Sequence, residues 1–98
     1  VARFDVFELS GSRLVLDVQS DFLLGIATRL VVPLLPAATA PRPFPRLNPK
    51  FEIDGKDYVM ATTLVVAVPV QVLSTKVASL RAEQDQISRA LDMVFFGA

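Results

Sequence analysis

A single stretch of this chain repeats with a helical period, and it comes last; everything before it alternates every second residue or is interrupted by proline. Leu80, Ile87, Leu91 and Val94 follow one another at spacings of seven, four and three, while Arg81, Gln84, Asp85, Ser88, Arg89 and Asp92 fill the other positions of the same segment. Gly97 stands where a helix C-cap belongs, directly after Phe95 and Phe96. Such a pattern predicts a small antiparallel β-barrel or sheet with one C-terminal helix packed against it.

The strand signals are local. Residues 3 to 8 set Phe4 and Val6 on one face against Asp5 and Phe7 on the other, Ser10-Gly11-Ser12 supplies a turn, and residues 13 to 19 alternate again. Leu14, Leu16 and Val18 share one side, with Arg13, Val15, Asp17 and Gln19 opposite, which predicts a β-hairpin. Arg29 to Leu35 reads as a third strand, and Pro33 within it favours a strand end, a bulge or an edge. Five prolines from Pro36 to Pro49 predict an extended excursion without a helix. Phe51 and Ile53, the Asp54-Gly55 turn signal and Tyr58, Met60 and Thr62 predict a second hairpin. Leu64 to Val68 reads as a further, more completely buried strand, after which Pro69 opens a helical turn over Val70 to Leu73.

Composition narrows the chemistry. With 98 residues the chain is expected to form one domain spanning residues 1–98. Ten basic residues against ten acidic ones, balanced in both halves, lack the basic excess with which proteins grip phosphate backbones, so no direct sequence-specific nucleic-acid binding is expected. Cys and His are absent, which removes thiolate nucleophiles, imidazole bases and the usual zinc ligand sets, and no cofactor is expected. The lack of Cys fits a reducing cytoplasm. Apolar residues make up 52%, yet no membrane span is expected: residues 22 to 41 carry Arg29 and three prolines, and the uncharged run from 58 to 75 is rich in β-branched valines. The first residues include Asp5 and Glu8 and show no basic-then-apolar signal pattern.

Two further features allow more than one reading. Asp17 and Asp21 have the i, i+4 spacing of a carboxylate pair, but on an extended strand they would stand more than about ten Å apart, which favours a structural or turn role. Arg42, Arg46 and Lys50 form a basic cluster without an acidic neighbour in the run, expected as a solvated surface or a contact for a protein partner, with anion or nucleic-acid binding as the remaining reading.

Several segments, in order, resemble the CcdB family of toxins from bacterial toxin–antitoxin pairs. They are Asp17-Val18-Gln19-Ser20-Asp21, Arg29-Leu30-Val31-Val32-Pro33-Leu34, Met60-Ala61-Thr62-Thr63, Val68-Pro69-Val70 and Phe95-Phe96-Gly97-Ala98, the last standing where the family has Phe-Trp-Gly-Ile. The resemblance covers nearly the whole chain, with a gap near residue 12. It implies an SH3-like antiparallel β-barrel with a small β-hairpin wing and a C-terminal helix, shared with the MazF-like toxins, and a homodimer. It also implies a protein that catalyses nothing, binds the DNA gyrase A subunit and traps the cleaved-DNA complex, and is neutralised by a CcdA-like antitoxin whose disordered tail folds onto it.

Carried over position by position, the resemblance implies a gyrase-binding surface made of Phe96, Gly97 and Ala98 at the tip, Gln84, Asp85, Ser88, Arg89 and Asp92 on the helix, and Phe22, Leu23 and Leu24 after the Asp21 motif. Adjacent helical positions point about 100° apart, so Phe95 is expected in the core and Phe96 toward the partner. In the family the tip tryptophan stacks on an arginine of gyrase; phenylalanine keeps a ring face but attracts a cation less than indole. Ala98 in place of isoleucine forgoes about 2 kcal/mol of burial, and the two departures together lower affinity about a hundredfold unless the target compensates. Two other functions share the same fold: a non-toxic homologue that keeps only the interaction surfaces, and a MazF-type endoribonuclease. The latter needs an arginine beside a hydroxyl or base, for which Arg13, Arg29 and Thr28 offer no evident arrangement.

Overall fold

The computed structural model describes residues 1–97. Its strands are β1 (Asp5–Leu9), β2 (Arg13–Asp17), β3 (Thr28–Pro36), β4 (Lys50–Ile53), β5 (Lys56–Met60), β6 (Val66–Pro69) and β7 (Lys76–Ser79), followed by a single α-helix, α1 (Gln84–Phe96). Every pairing is antiparallel, in the order β4-β5-β3-β2-β1-β7, with β6 joined to β3 beside this path. This is the expected mainly β architecture: a curled half-barrel with the β4–β5 hairpin as its wing.

The turns follow from residue type. At Asp54-Gly55, between the paired Ile53 and Lys56, both residues adopt positive φ, as a two-residue type I′ hairpin loop requires. Gly11 and Ser12 do the same between β1 and β2.

β3 organises the sheet because its nine residues meet two partners along one edge: Thr28 to Val31 pair with β6, and Leu34 to Pro36 pair with β5. Pro33 lies between these two ladders, inside the strand, on an edge that is locally outside both; of the strand end, bulge or edge expected for a proline, it occupies an edge. Its carbonyl accepts the Ala61 N–H, and N and C=O of one strand residue face the same side, so the nitrogen without a proton faces the gap where neither ladder needs a donor.

Period-two alternation becomes two cores. Phe4, Val6, Leu14, Leu16, Val18, Val32 and Leu34 pack under α1 through Ile87, Ala90 and Leu91, joined by Phe51 and Ile53 of the wing. On the opposite face Phe7, Val15 and Val31 pack on Leu73 of the turn that follows Pro69. Leu80 is buried as expected but precedes the helix, which begins at Gln84 after a 3-10 turn.

Two expectations change, and one strand is present that the sequence did not signal. Strand β7 carries no clear alternation signal and is defined by its register on β1. β5 ends at Met60, and Thr62 begins a 3-10 turn with its hydroxyl bonded to the Leu47 carbonyl. The run from Leu64 to Val68 is not fully buried: β6 bonds only to β3 among the described residues, leaving Leu64, Val66 and Ala67 exposed and Val68 half-buried. Among the described residues, no helix is long and apolar enough to cross a membrane.

Candidate functional site

The polar face of β2 does not end in solvent. Asp17 and Gln19 are buried there with Arg29 of β3, whose Nε and Nη2 donate to the two Asp17 carboxylate oxygens at 2.8 and 3.0 Å. β2 stops at Asp17, so the chain turns through residues 18–20 and returns Asp21 to the same guanidinium, 3.5 Å from Nη2. The two aspartates therefore converge on Arg29, contrary to the separation expected of an extended strand. They act as a structural clasp.

The clasp and Gln19 set the path of the segment between β2 and β3. Gln19 Nε2 donates to the Thr28 carbonyl at 3.2 Å and the Leu23 carbonyl at 3.5 Å, while its Oε1 accepts the Leu30 N–H at 3.0 Å. Ser20 caps the short turn Asp21–Leu23 by accepting the Phe22 N–H, and Asp21 accepts the Arg3 N–H at 2.9 Å. Held at its base, this segment pushes its apolar residues outward: Phe22 is 99% exposed, and Leu23 and Leu24 are exposed beside it.

The two carboxylates titrate in opposite directions. Burial pushes Asp17 above the usual aspartate range, against the opposing pull of Arg29 and the Gln19 N–H. The Arg3 N–H, followed by the charge of Arg29, holds Asp21 below that range. Asp21 therefore contributes stability that is present above the ordinary aspartate pKa and is lost as pH falls through its folded value; Asp17 contributes with the opposite sign. An Asp21→Asn variant is expected to be less stable than the native protein at pH 7, with the deficit closing below the folded pKa of Asp21. Chemical denaturation over a pH series measures it, and a deficit that persists in acid contradicts the assignment.

At the other end of the molecule α1 leaves two aromatic rings in water. Phe96 is 81% exposed, as expected for a partner-facing residue, but Phe95 is 58% exposed and is not the core residue it was expected to be. The stripe that reaches the core is Ile87, Ala90 and Leu91, and no residue of the helix after Leu91 belongs to it. Gln84, Asp85, Arg89 and Asp92 are exposed and Ser88 is half-buried. Gly97 caps the helix at φ 75°, its N–H donating to the Met93 carbonyl at 3.1 Å. Ala98 lies outside the described residues. Among the described residues, a Cβ on Gly97 meets no atom within 4 Å beyond its chain neighbours, so Gly97→Ala is expected to cost about 1 kcal/mol through backbone conformation, read as a small fall in Tm.

The loop and the tip occupy opposite ends of α1. Phe22 lines a groove with Arg81 just before the helix, and Phe96 closes it thirteen residues of helix later, about 20 Å along the axis. The exposed helix face runs between them. Arg42, Arg46 and Lys50 are exposed, but Lys50 lies 3.8 Å from Asp57, so the basic cluster is partly compensated across the wing. Sequence alternation gave no sign that Asp17, Gln19 and Arg29 form one buried network; the signal was the coincidence of three polar residues on a face that also carries Val15 and Val31.

Known proteins match both levels of this description. One solved structure, described as an endoribonuclease in complex with its cognate antitoxin from mycobacterial species, superposes with a TM-score of 0.76 at 17% identity, over 96% of this chain and 93% of its own. Another, an endoribonuclease from mycobacterial species, gives 0.77 at 17% identity over 96% and 89%. At that identity the likeness establishes the MazF-like fold. The sequence itself matches the family described as CcdB protein over residues 3–97, a span that includes the clasp, the β3 strand and the aromatic tip. The chain therefore belongs to the CcdB family, toxins of toxin–antitoxin systems.

Proposed function

We propose that this toxin is a poison of DNA gyrase and not an enzyme: the tip of α1 enters the dimerisation domain of the gyrase A subunit and holds the cleaved-DNA complex. The observation that carries this reading is the pair of solvent-exposed rings, Phe95 and Phe96, at the capped end of a helix whose opposite face is core. Rings left in water at a helix end have no folding role and are suited to stacking on a partner's cation. Gln84, Asp85, Ser88, Arg89 and Asp92 flank the tip along the helix, Gly97 and Ala98 extend it, and Phe22, Leu23 and Leu24 form a second apolar contact.

The toxin acts as a homodimer and is removed by a CcdA-like antitoxin. Exposed Leu30, Val66 and Val72 supply apolar surface that a second copy would cover. RNA cleavage is the competing activity, favoured by the two endoribonucleases that share the fold. Against it, Arg29 is 2% exposed and held through Nε and Nη2 by Asp17, with Asp21 beside it, and its Nη1 is buried without a partner among the described residues, so the guanidinium is closed off from a phosphate in solvent.

Calorimetric titration against the gyrase A dimerisation domain, with a chain ending at Phe95 as control, tests the proposal. Binding that is lost on truncation is expected. No binding by the intact protein, or cleavage of single-stranded RNA in a parallel assay, overturns it.

A further inference from the structure

Beside the Arg29 clasp the surface opens into a groove lined by Arg3, Phe4, Ser20, Asp21, Phe22 and Arg81. Its construction is unusual in three respects. Phe4 holds its backbone at φ 77°, a left-handed conformation that costs a bulky residue energy, and it is fixed there by its N–H to the Asp17 carbonyl at 2.7 Å and by the Leu80 N–H to its own carbonyl at 2.8 Å. The resulting ring carries two guanidinium groups, Arg3 at 4.8 Å and Arg81 at 5.7 Å from its centroid. Among the described residues neither arginine side chain has a carboxylate partner, and Arg3 Nε is shut off from solvent with no acceptor.

Local charge defines what is missing. Arg3, Arg29 and Arg81 face Asp17 and Asp21, which leaves one positive charge in excess at the groove. Asp17 is bound to Arg29, and Asp21 gives its carboxylate to the Arg3 backbone N–H and to Arg29, not to the half-buried Arg3 guanidinium or the exposed Arg81 one. Both free forks are already ordered on the Phe4 ring, so a carboxylate arriving there costs little side-chain entropy and gains charge-assisted hydrogen bonds. The fully exposed Phe22 ring stands on the rim, ready to cover an apolar neighbour of that carboxylate.

We propose that this groove is a docking site for an acidic peptide segment of a protein partner, in which Arg3 and Arg81 clamp one Asp or Glu carboxylate and Phe22 packs on the apolar residue beside it. A polyanion fits less well, because Asp21 on the groove wall repels a second negative charge and the net excess is a single charge. The site is separate from the aromatic tip of α1 but shares Phe22 with the proposed gyrase surface, so the two partners would compete for that ring; peptide docking itself does not require gyrase to be the target.

The test is an NMR titration of the full chain with the capped peptide acetyl-Leu-Glu-Leu-Glu-amide and its glutamine counterpart. Saturable shifts of the Arg3 and Arg81 Nε–Hε signals and of the Phe22 amide are expected with the acidic peptide, with binding at least about tenfold weaker for the glutamine peptide and for an Arg81→Gln protein. Phe96→Ala should leave this titration unchanged, which separates the groove from the tip of α1. Equal response to both peptides, absence of saturable shifts at these residues, or larger shifts with a single-stranded oligonucleotide than with the acidic peptide overturns the proposal.

Discussion

Replacing Asp17 with alanine is expected to remove about 3–5 kcal/mol of folding stability, because it leaves the Arg29 guanidinium buried without its main counter-charge. Small domains are stable by about 5–15 kcal/mol in total, so the variant sits near its unfolding midpoint under conditions where the native protein is folded. The cause is the remaining charge and not the lost contact. Removing both partners, as in Asp17→Leu with Arg29→Met, should therefore cost distinctly less than Asp17→Ala, even though it deletes more hydrogen bonds. Urea unfolding of the single and double variants measures the comparison. Among the described residues Arg29 has no other strong buried partner to fall back on: Asp21 is half-exposed at 3.5 Å, the Gln19 carbonyl at 3.2 Å carries no charge, and Nη1 has no partner. A loss below about 1 kcal/mol for Asp17→Ala would mean that Arg29 escapes to water and that the clasp does not hold the β2–β3 segment.

Phe96→Ala is expected to separate folding from action. The ring is 81% exposed and touches neither core, so stability should stay within about 0.5 kcal/mol of the native value. Binding to the gyrase A dimerisation domain should weaken by about 2–4 kcal/mol, thirty- to a thousandfold in Kd, as for an aromatic anchor inserted into a partner. Phe95→Ala tests how the work is shared, since Phe95 is also exposed. Phe96→Trp is expected to tighten binding, because indole attracts a cation more strongly than a phenyl ring. Calorimetry on the four proteins decides the matter: an unchanged Kd in Phe96→Ala removes the tip from the interface, whatever the partner is.

Much of the molecule was legible because its information is local. The hairpins at Ser10-Gly11-Ser12 and Asp54-Gly55, the turn opened by Pro69, the C-terminal helix and its glycine cap each depend on residues within a few positions of one another. Structure and sequence agree on them. The split of Phe4, Val6, Leu14 and Leu16 from Phe7 and Val15 was equally readable, since alternate strand residues face opposite sides whatever the sheet later does. The ordered motifs also sufficed to place the chain in its family.

Other features were decided only when distant segments met. Pro33 is tolerated inside β3 because two different strands end on either side of it, and β7 exists because β1 offers it a register. Phe95 is exposed although it follows Leu91 by four positions, because the buried stripe of the helix ends at Leu91, which helical period alone does not reveal. The pairing of Asp17 and Asp21 on Arg29, and of Arg3 and Arg81 on Phe4, brings together residues up to 78 positions apart around single groups. Sequence by itself determined the hairpins, the third strand, the C-terminal helix and the family, because turn chemistry and side-chain alternation act over short range. Tertiary structure alone decided which polar groups are buried, which rings are left in water and which charges remain unpaired, because burial and electrostatics depend on neighbours that the chain supplies from far away.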